Sequence, residues 1–108
     1  MTYDETLAGR IRTVLADVPT VEKKAFGGLA FLVGGNMAIS ASGQGGAMVR
    51  CSPEATASLI EPGVTRMERG GKQMDGWLLL AGSAVESDAD LRRWASVGVA
   101  YARDLPPK

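Results

Sequence analysis

Apolar residues recur at two spacings along this chain, and the change from one spacing to the other outlines the predicted fold. Near the N-terminus, five apolar residues recur every three or four positions, as on one face of a helix: Leu7, Ile11, Val14, Leu15 and Val18. Thr2, with Glu5 three residues later, forms a capping-box pattern before this run, and Pro19 ends it. We predict a first helix over residues 4–17.

Residues 21–51 change to the alternation that is typical of strands with one face on a core. Three runs alternate in this way, at residues 29–33, 37–41 and 47–51, and a less regular run covers Val21–Phe26. Glycine-rich connectors separate the last three runs, at Gly34-Gly35-Asn36 and at residues 42–46. Such residues tolerate the positive φ that tight hairpin turns require. We therefore predict a meander of four antiparallel strands.

The second half of the chain predicts two more helices around a second hairpin. Ser52-Pro53-Glu54 provides an N-cap serine, a proline at the first helical position and an acid in the first turn, so a helix should run from there to about Ile60. Strands at 64–68 and 73–81 flank a turn at residues 69–72. Ser87 and Asp90 form a capping box before a final helix that ends near Asp104. The apolar face of that helix consists of Leu91, Trp94, Ala95, Gly98, Tyr101 and Ala102.

The predicted order is α-β-β-β-β-α-β-β-α. Strands in local runs, without βαβ alternation, indicate an α+β fold with two layers, an antiparallel sheet and helices packed on it. A chain of 108 residues fits one domain. No apolar run approaches the ~20 residues that span a bilayer. The N-terminus carries acids where a signal peptide carries basic residues, so we expect a cytoplasmic protein.

Composition narrows the possible chemistry. The chain has no histidine and a single cysteine, Cys51, which excludes Ser-His-Asp and Cys-His arrangements and an internal disulfide within it. The pairs Gly27-Gly28 and Gly34-Gly35 precede strands, whereas a phosphate-binding loop leads into a helix, so we interpret these glycines as shaping the sheet. Cys51, just before a predicted helix, is either an activated thiol or a small apolar core residue, and we favour the core. We expect no catalytic residues, no metal and no cofactor.

Basic residues cluster around the second hairpin turn, where Arg66, Arg69 and Lys72 lie within seven positions. They suggest a contact for a protein partner or a small anion, or a solvated edge that is charged to discourage strand pairing. Because the formal net charge is zero, direct nucleic-acid binding is a weaker hypothesis.

The run Trp77-Leu78-Leu79-Leu80 gives both faces of one predicted strand apolar character. A strand that is apolar on both faces needs helices on both sides or a partner subunit. The sequence therefore predicts a homodimer. We also expect Trp77 and Trp94 to be core residues and not stacking platforms for bases.

Several short motifs, in order along the chain, resemble those of the TfoX N-terminal domain family. Residues 24–31, Lys-Ala-Phe-Gly-Gly-Leu-Ala-Phe, match a K-x-F-G-G-x-x-F signature, and Gly35-Asn36-Met37 follows it. Met48-Val49-Arg50 resembles the motif of the next strand. The second hairpin of the family is resembled by Met67, residues 71–74 and Gly76-Trp77. The ending at residues 105–108 is similar to that of single-domain members. Ala25 departs from the pattern, because the family usually has a larger apolar residue there.

The resemblance implies an α-β(3)-α-β(2)-α order, similar to secretion chaperones, in which residues 21–26 would be an extended lead-in. Such domains are commonly dimers. Two-domain members of the family are regulators of natural competence that act as transcriptional co-activators, and a helical C-terminal domain follows this one in them. We expect residues 1–108 to be one such domain, without that second domain.

These considerations leave three hypotheses of function. The first is a non-enzymatic regulatory or protein-interaction module with an unidentified protein partner. The second is a small-molecule or anion-binding protein that uses the basic hairpin, and the third is direct nucleic-acid binding.

Overall fold

A computed structural model describes residues 3–25, 27–43 and 45–107, with Arg69 described by its backbone alone. Within these ranges the helices are α1 (Glu5–Val14), α2 (Thr56–Leu59) and α3 (Asp88–Asp104). The strands are β1 (Val21–Ala25), β2 (Gly28–Val33), β3 (Asn36–Ala41), β4 (Ala47–Arg50), β5 (Val64–Arg69) and β6 (Lys72–Leu80). The described strands form one antiparallel sheet in the order β1-β2-β3-β4-β6-β5. The predicted α+β class is confirmed.

The first helix begins and ends differently from the prediction. Thr2 lies outside the described residues, and the side chain that caps α1 is Asp4, whose Oδ1 accepts from the N–H groups of Thr6 (2.9 Å) and Leu7 (3.1 Å). A carboxylate is favoured at this position because it also interacts with the positive end of the helix dipole. The helix ends at Val14, three residues before the predicted boundary, and residues 15–17 form a turn.

The least regular of the predicted strands is a strand of the sheet. β1 pairs antiparallel with β2, from Val21 opposite Leu32 to Ala25 opposite Gly28. The structure therefore has one strand more than the family resemblance implies, and the four-strand meander predicted from the alternation is confirmed. Phe26, at the end of the predicted run, lies outside the described residues.

Paired glycines make two of the hairpin turns of the described sheet. Gly34 and Gly35 join β2 to β3 with φ values of 60° and 83°, and Gly70 and Gly71 join β5 to β6 with 60° and 81°. Two successive residues with positive φ give a turn whose twist matches that of the flanking strands. The interpretation of Gly34-Gly35 as a sheet-shaping turn is confirmed.

The helix predicted from Ser52 is short and irregular. Residues Pro53–Ala55 form a 3-10 turn before α2. The Ser52 hydroxyl donates to a carboxylate oxygen of Glu54 (2.5 Å) and does not cap the helix. Ser52 therefore occupies the predicted N-cap position, with Pro53 and Glu54 in the first turn, but its side chain pairs with the neighbouring acid instead of capping a backbone N–H. The Ser87 cap of α3 is confirmed, since its Oγ accepts from the N–H of Asp90 (3.1 Å).

The main core lies between one face of the sheet and the helices. Its largest fully buried side chains include Trp94, Phe31, Ile11 and Ile39. A register shift in the β2–β3 pairing leaves Ala38 unpaired, and its carbonyl oxygen lies only 2.2 Å from the position that a Cβ on Gly98 would take. α3 can therefore pack directly on the sheet at this bulge because residue 98 is glycine. No helix among the described residues has the length and hydropathy needed to cross a bilayer.

Candidate functional site

The opposite side of the sheet carries a second, smaller apolar cluster, which is built from strand residues. Ala30, Met37 and Met48 are buried in it, and five partly buried side chains pack around them: Ala25, Leu32, Met67, Trp77 and Leu79. We call this surface the open face. The described helices contribute their apolar residues to the main core on the other side.

β6 shows most clearly that the sheet is apolar on both sides. Leu78 and Leu80 are fully buried in the main core, whereas Trp77 and Leu79 are half-buried on the open face. Trp94 is a core residue as predicted, but Trp77 is partly exposed at the edge of the second cluster. Apolar side chains on a sheet face that the described helices leave uncovered are a candidate contact surface for another molecule.

The open face is concave. Each strand of the described sheet contributes a residue to a cavity of about 50 Å³ on it: Ala25, Gly28, Ser40, Met48, Met67 and Leu79. In a flat sheet of six strands, the edge strands would lie roughly 24 Å apart. Since both edge strands line one small cavity, the sheet curves around this face.

Two cations border the open face. Arg50 lies opposite Trp77 in the β4–β6 pairing, and Lys23 lies opposite Ala30 in the β1–β2 pairing. Residues directly opposite each other across antiparallel strands share one face of a sheet. The described register partners of the cluster include these two cations and no carboxylate. The face is therefore apolar with a positive border.

Aromatic rings from two different elements contact Arg50. Its guanidinium carbon lies 5.0 Å from the centroid of the Trp77 ring and 5.5 Å from that of Tyr101 on α3. Both distances are within the range of cation–π attraction. Within the described part of the chain, Arg50 takes part in no salt bridge.

Other arginines are neutralised by carboxylates of the chain itself. The closest pairs are Arg10–Asp88 (3.2 Å), Arg12–Glu22 (2.6 Å), Arg66–Asp75 (2.9 Å) and Arg93–Glu61 (3.0 Å). Side-chain hydrogen bonds to Glu61 raise the pKa of Arg93 above its ordinary value. Unlike these four arginines, Arg50 faces no carboxylate of the described chain.

The basic hairpin offers less free charge than the sequence suggests. Arg66 is engaged by Asp75 across the β5–β6 hairpin, and the side chain of Arg69 lies outside the description. Lys72 is exposed at the turn. Arg66 therefore faces an acid of the chain itself and Lys72 faces solvent, and an anion site formed by Arg66, Arg69 and Lys72 stays a prediction.

Cys51 lies in the main core, as favoured from the sequence. It is buried, and its Sγ is 3.6 Å from Oγ1 of Thr56, the buried hydroxyl at the start of α2. Among the described residues, no group of three or more His, Cys, Asp or Glu side chains is placed to hold a metal ion.

Sequence reasoning identified Trp77 and Leu79 but missed the rest of the open face. The signal was present, because the alternate positions of β2 and β4 are also apolar at Ala30, Leu32 and Met48. Those positions indicate a sheet with two apolar sides. The border role of Arg50 could not be read from the sequence, since it depends on the register between β4 and β6.

Comparison with known proteins gives one match. The family model of the TfoX N-terminal domain matches residues 13–102, a range that contains every strand of the described sheet. No curated protein and no solved structure matches the chain. Because the family model covers most of the sequence, the chain belongs to the TfoX N-terminal domain family.

Proposed function

We propose that this chain is a non-enzymatic regulatory module that acts by binding another protein through the open face. The observation that carries the proposal is the apolar cluster on the side of the sheet that the described helices leave uncovered. Membership of a family with competence regulators supports a regulatory role and not a metabolic one.

The residue types on this face fit a protein contact. Methionine, tryptophan and arginine are enriched in protein–protein interfaces, and the face presents the partly exposed Met67, Trp77 and Arg50 above the buried Met37 and Met48. Methionine side chains adapt their shape to different partners. Each Å² of apolar surface covered by a partner contributes roughly 25 cal/mol, so a partner that covers this cluster gains a substantial part of its affinity there.

The other two hypotheses gain less support from the geometry. An anion site at the hairpin would need free cations, but Arg66 is paired with Asp75. Nucleic-acid binding would need an extended positive surface, but Arg10, Arg12 and Arg93 also face carboxylates. The open face therefore supports protein binding in preference to both.

Capture from native lysate tests this proposal when an open-face variant is compared with a matched control. The variant is Trp77→Gln, and the control is Ile60→Gln, which replaces an exposed apolar residue (38% exposed) outside the cluster. We expect one protein to be retained by the wild type and by Ile60→Gln, and lost with Trp77→Gln, while circular dichroism shows all three chains folded. Retention by all three chains, or no specific retention by the wild type, would contradict the proposal.

Homodimerisation, predicted from the apolar character of β6, would cover the same face and remains a separate proposal. Sedimentation equilibrium over a range of protein concentrations measures it directly.

A further inference from the structure

We infer that the partner segment which covers the open face is an acidic amphipathic helix, whose apolar side packs on the cluster and whose carboxylates pair with Arg50 and Lys23. This inference rests on the proposed function and adds the chemical class of the partner.

The charge of the border argues for an acidic occupant. Both charged residues in register with the described cluster are cations, Lys23 opposite Ala30 and Arg50 opposite Trp77. A partner that brings carboxylates to these positions forms complementary pairs, whereas a basic partner meets like charge.

Arg50 is positioned in advance for such a contact. The rings of Trp77 and Tyr101 restrict its side chain, which is half-buried at the end of β4. The cation–π contacts engage the face of the guanidinium, and none of the described side-chain hydrogen bonds involves Arg50, so its N–H groups are available to an acceptor. A guanidinium fork matches the two oxygens of a carboxylate, and a side chain that is already ordered loses less entropy on binding.

The curvature of the face argues for a narrow occupant. An α-helix with its side chains is about 10 Å wide and lays one apolar stripe into a concave apolar surface. Two copies of a concave face would meet mainly at their borders and would bring together Arg50 and Lys23 of both copies, and the register partners of the cluster include no carboxylate to pair with them. A second copy of the chain is therefore a poorer fit than an acidic helix.

Peptide display provides the test. A random library of 20-residue peptides is selected in parallel against the full chain and against the Lys23→Glu, Arg50→Glu double variant. For the wild type, we expect enrichment of peptides with negative net charge and apolar residues at helical spacing. For the double variant, we expect these peptides to be lost and positively charged ones to be enriched.

The affinity of the best acidic peptide is then measured for single variants of the chain, which separates the contributions of Arg50 and Lys23 to binding. We expect Arg50→Glu to weaken binding about tenfold or more, with a smaller loss for Arg50→Lys, which keeps the charge without the fork. Lys23→Glu tests the contribution of the second cation to peptide affinity. Because Lys23 is exposed on the edge strand, this change does not disturb the core. Arg103→Glu is the control, since Arg103 is exposed near the end of α3 and outside the open-face cluster, and should leave affinity unchanged.

The other outcomes count against the inference in distinct ways. Peptides that bind without charge preference but lose affinity with Leu79→Gln would overturn the acidic partner and leave the proposed function intact. A concentration-dependent dimer that Trp77→Gln dissociates would identify a second copy as the occupant. Failure to enrich any peptide, or binding that no open-face variant alters, would contradict both proposals.

Discussion

The hydroxyl of Thr56 links the start of α2 to Gly76 of β6 and to Ser52. It is fully buried, accepts from the N–H of Gly76 (2.7 Å) and donates to the carbonyl of Ser52 (3.1 Å). Gly76 has a φ of 93° in the irregular part of β6, where the pairing with β5 shifts. One threonine thus satisfies the buried N–H of the residue that directly precedes Trp77.

Thr56→Val should therefore destabilise the protein. The substitution keeps the shape but leaves the Gly76 N–H without an acceptor, at a cost of about 1–3 kcal/mol in the free energy of unfolding. Urea denaturation measures the loss. Ser58→Ala, at an exposed hydroxyl in the same helix, is the control and should change stability by less than about 0.5 kcal/mol. Equal losses of unfolding free energy in the two variants would show that the Thr56–Gly76 hydrogen bond does not contribute to stability.

Two helical glycines give opposite predictions for the same substitution. Gly98→Ala would place a Cβ 2.2 Å from the Ala38 carbonyl oxygen, so we expect a loss of about 1–3 kcal/mol as α3 moves off the bulge. Gly9→Ala, in α1, meets no atom within 4 Å and should stabilise by about 0.5–1 kcal/mol through helix propensity. Thermal unfolding of both variants measures the difference, and similar Tm values would contradict the close packing of α3.

At the scale of elements, the edge strand β1 is tied to α1 by a bidentate ion pair. Arg12 donates from Nε and Nη2 to the two carboxylate oxygens of Glu22, at 2.6 and 2.8 Å. Glu22 lies opposite Phe31, so its side chain points toward the helix side of the sheet, where α1 packs. The pair thus fixes the outermost strand beside the open face to the first helix.

This pair should make stability depend on pH in a defined direction. The hydrogen bond from Arg12 lowers the pKa of Glu22 below its ordinary value of 4.5. A lowered pKa in the folded state stabilises the protein above the unfolded value, and that contribution disappears as pH falls through the folded value. We therefore expect the stability difference between the wild type and Glu22→Gln to be largest near pH 6 and to shrink toward pH 3. A difference that grows on acidification would contradict this sign.

Features that depend on neighbouring residues could be predicted from the sequence, whereas features that depend on pairing between distant strands could not. Ser87 and Asp90 specified the start of α3 because the cap lies within four residues. The bulge at Ala38 and the shift before Met67 depend on partners on other strands, so no local pattern reveals them. The open face follows from those pairings. Its apolar positions can be read from the alternation in β2, β4 and β6, whereas its curvature and its charged border cannot.

At the scale of the whole molecule, the chain is tied together across long sequence distances. The buried Asn36, at the start of β3, donates from Nδ2 to the carbonyl of Pro106 (3.0 Å), which holds the segment after α3 against the β2–β3 turn. Three of the salt bridges join a helix to another element or its flanking loop: Arg10 to Asp88, Arg12 to Glu22 and Arg93 to Glu61. These contacts hold the helices on one side of the sheet and leave the other side accessible.

The central claim, that a protein partner covers the open face, has a direct optical test. The chain contains two tryptophans, of which Trp94 is 1% exposed and Trp77 is half-buried on the open face. Acrylamide should therefore quench mainly Trp77 in the free chain. When a tryptophan-free partner or selected peptide is added to saturation, we predict that this quenchable emission is largely lost. Quenching that stays unchanged at saturation would show that the partner binds elsewhere and would contradict the account.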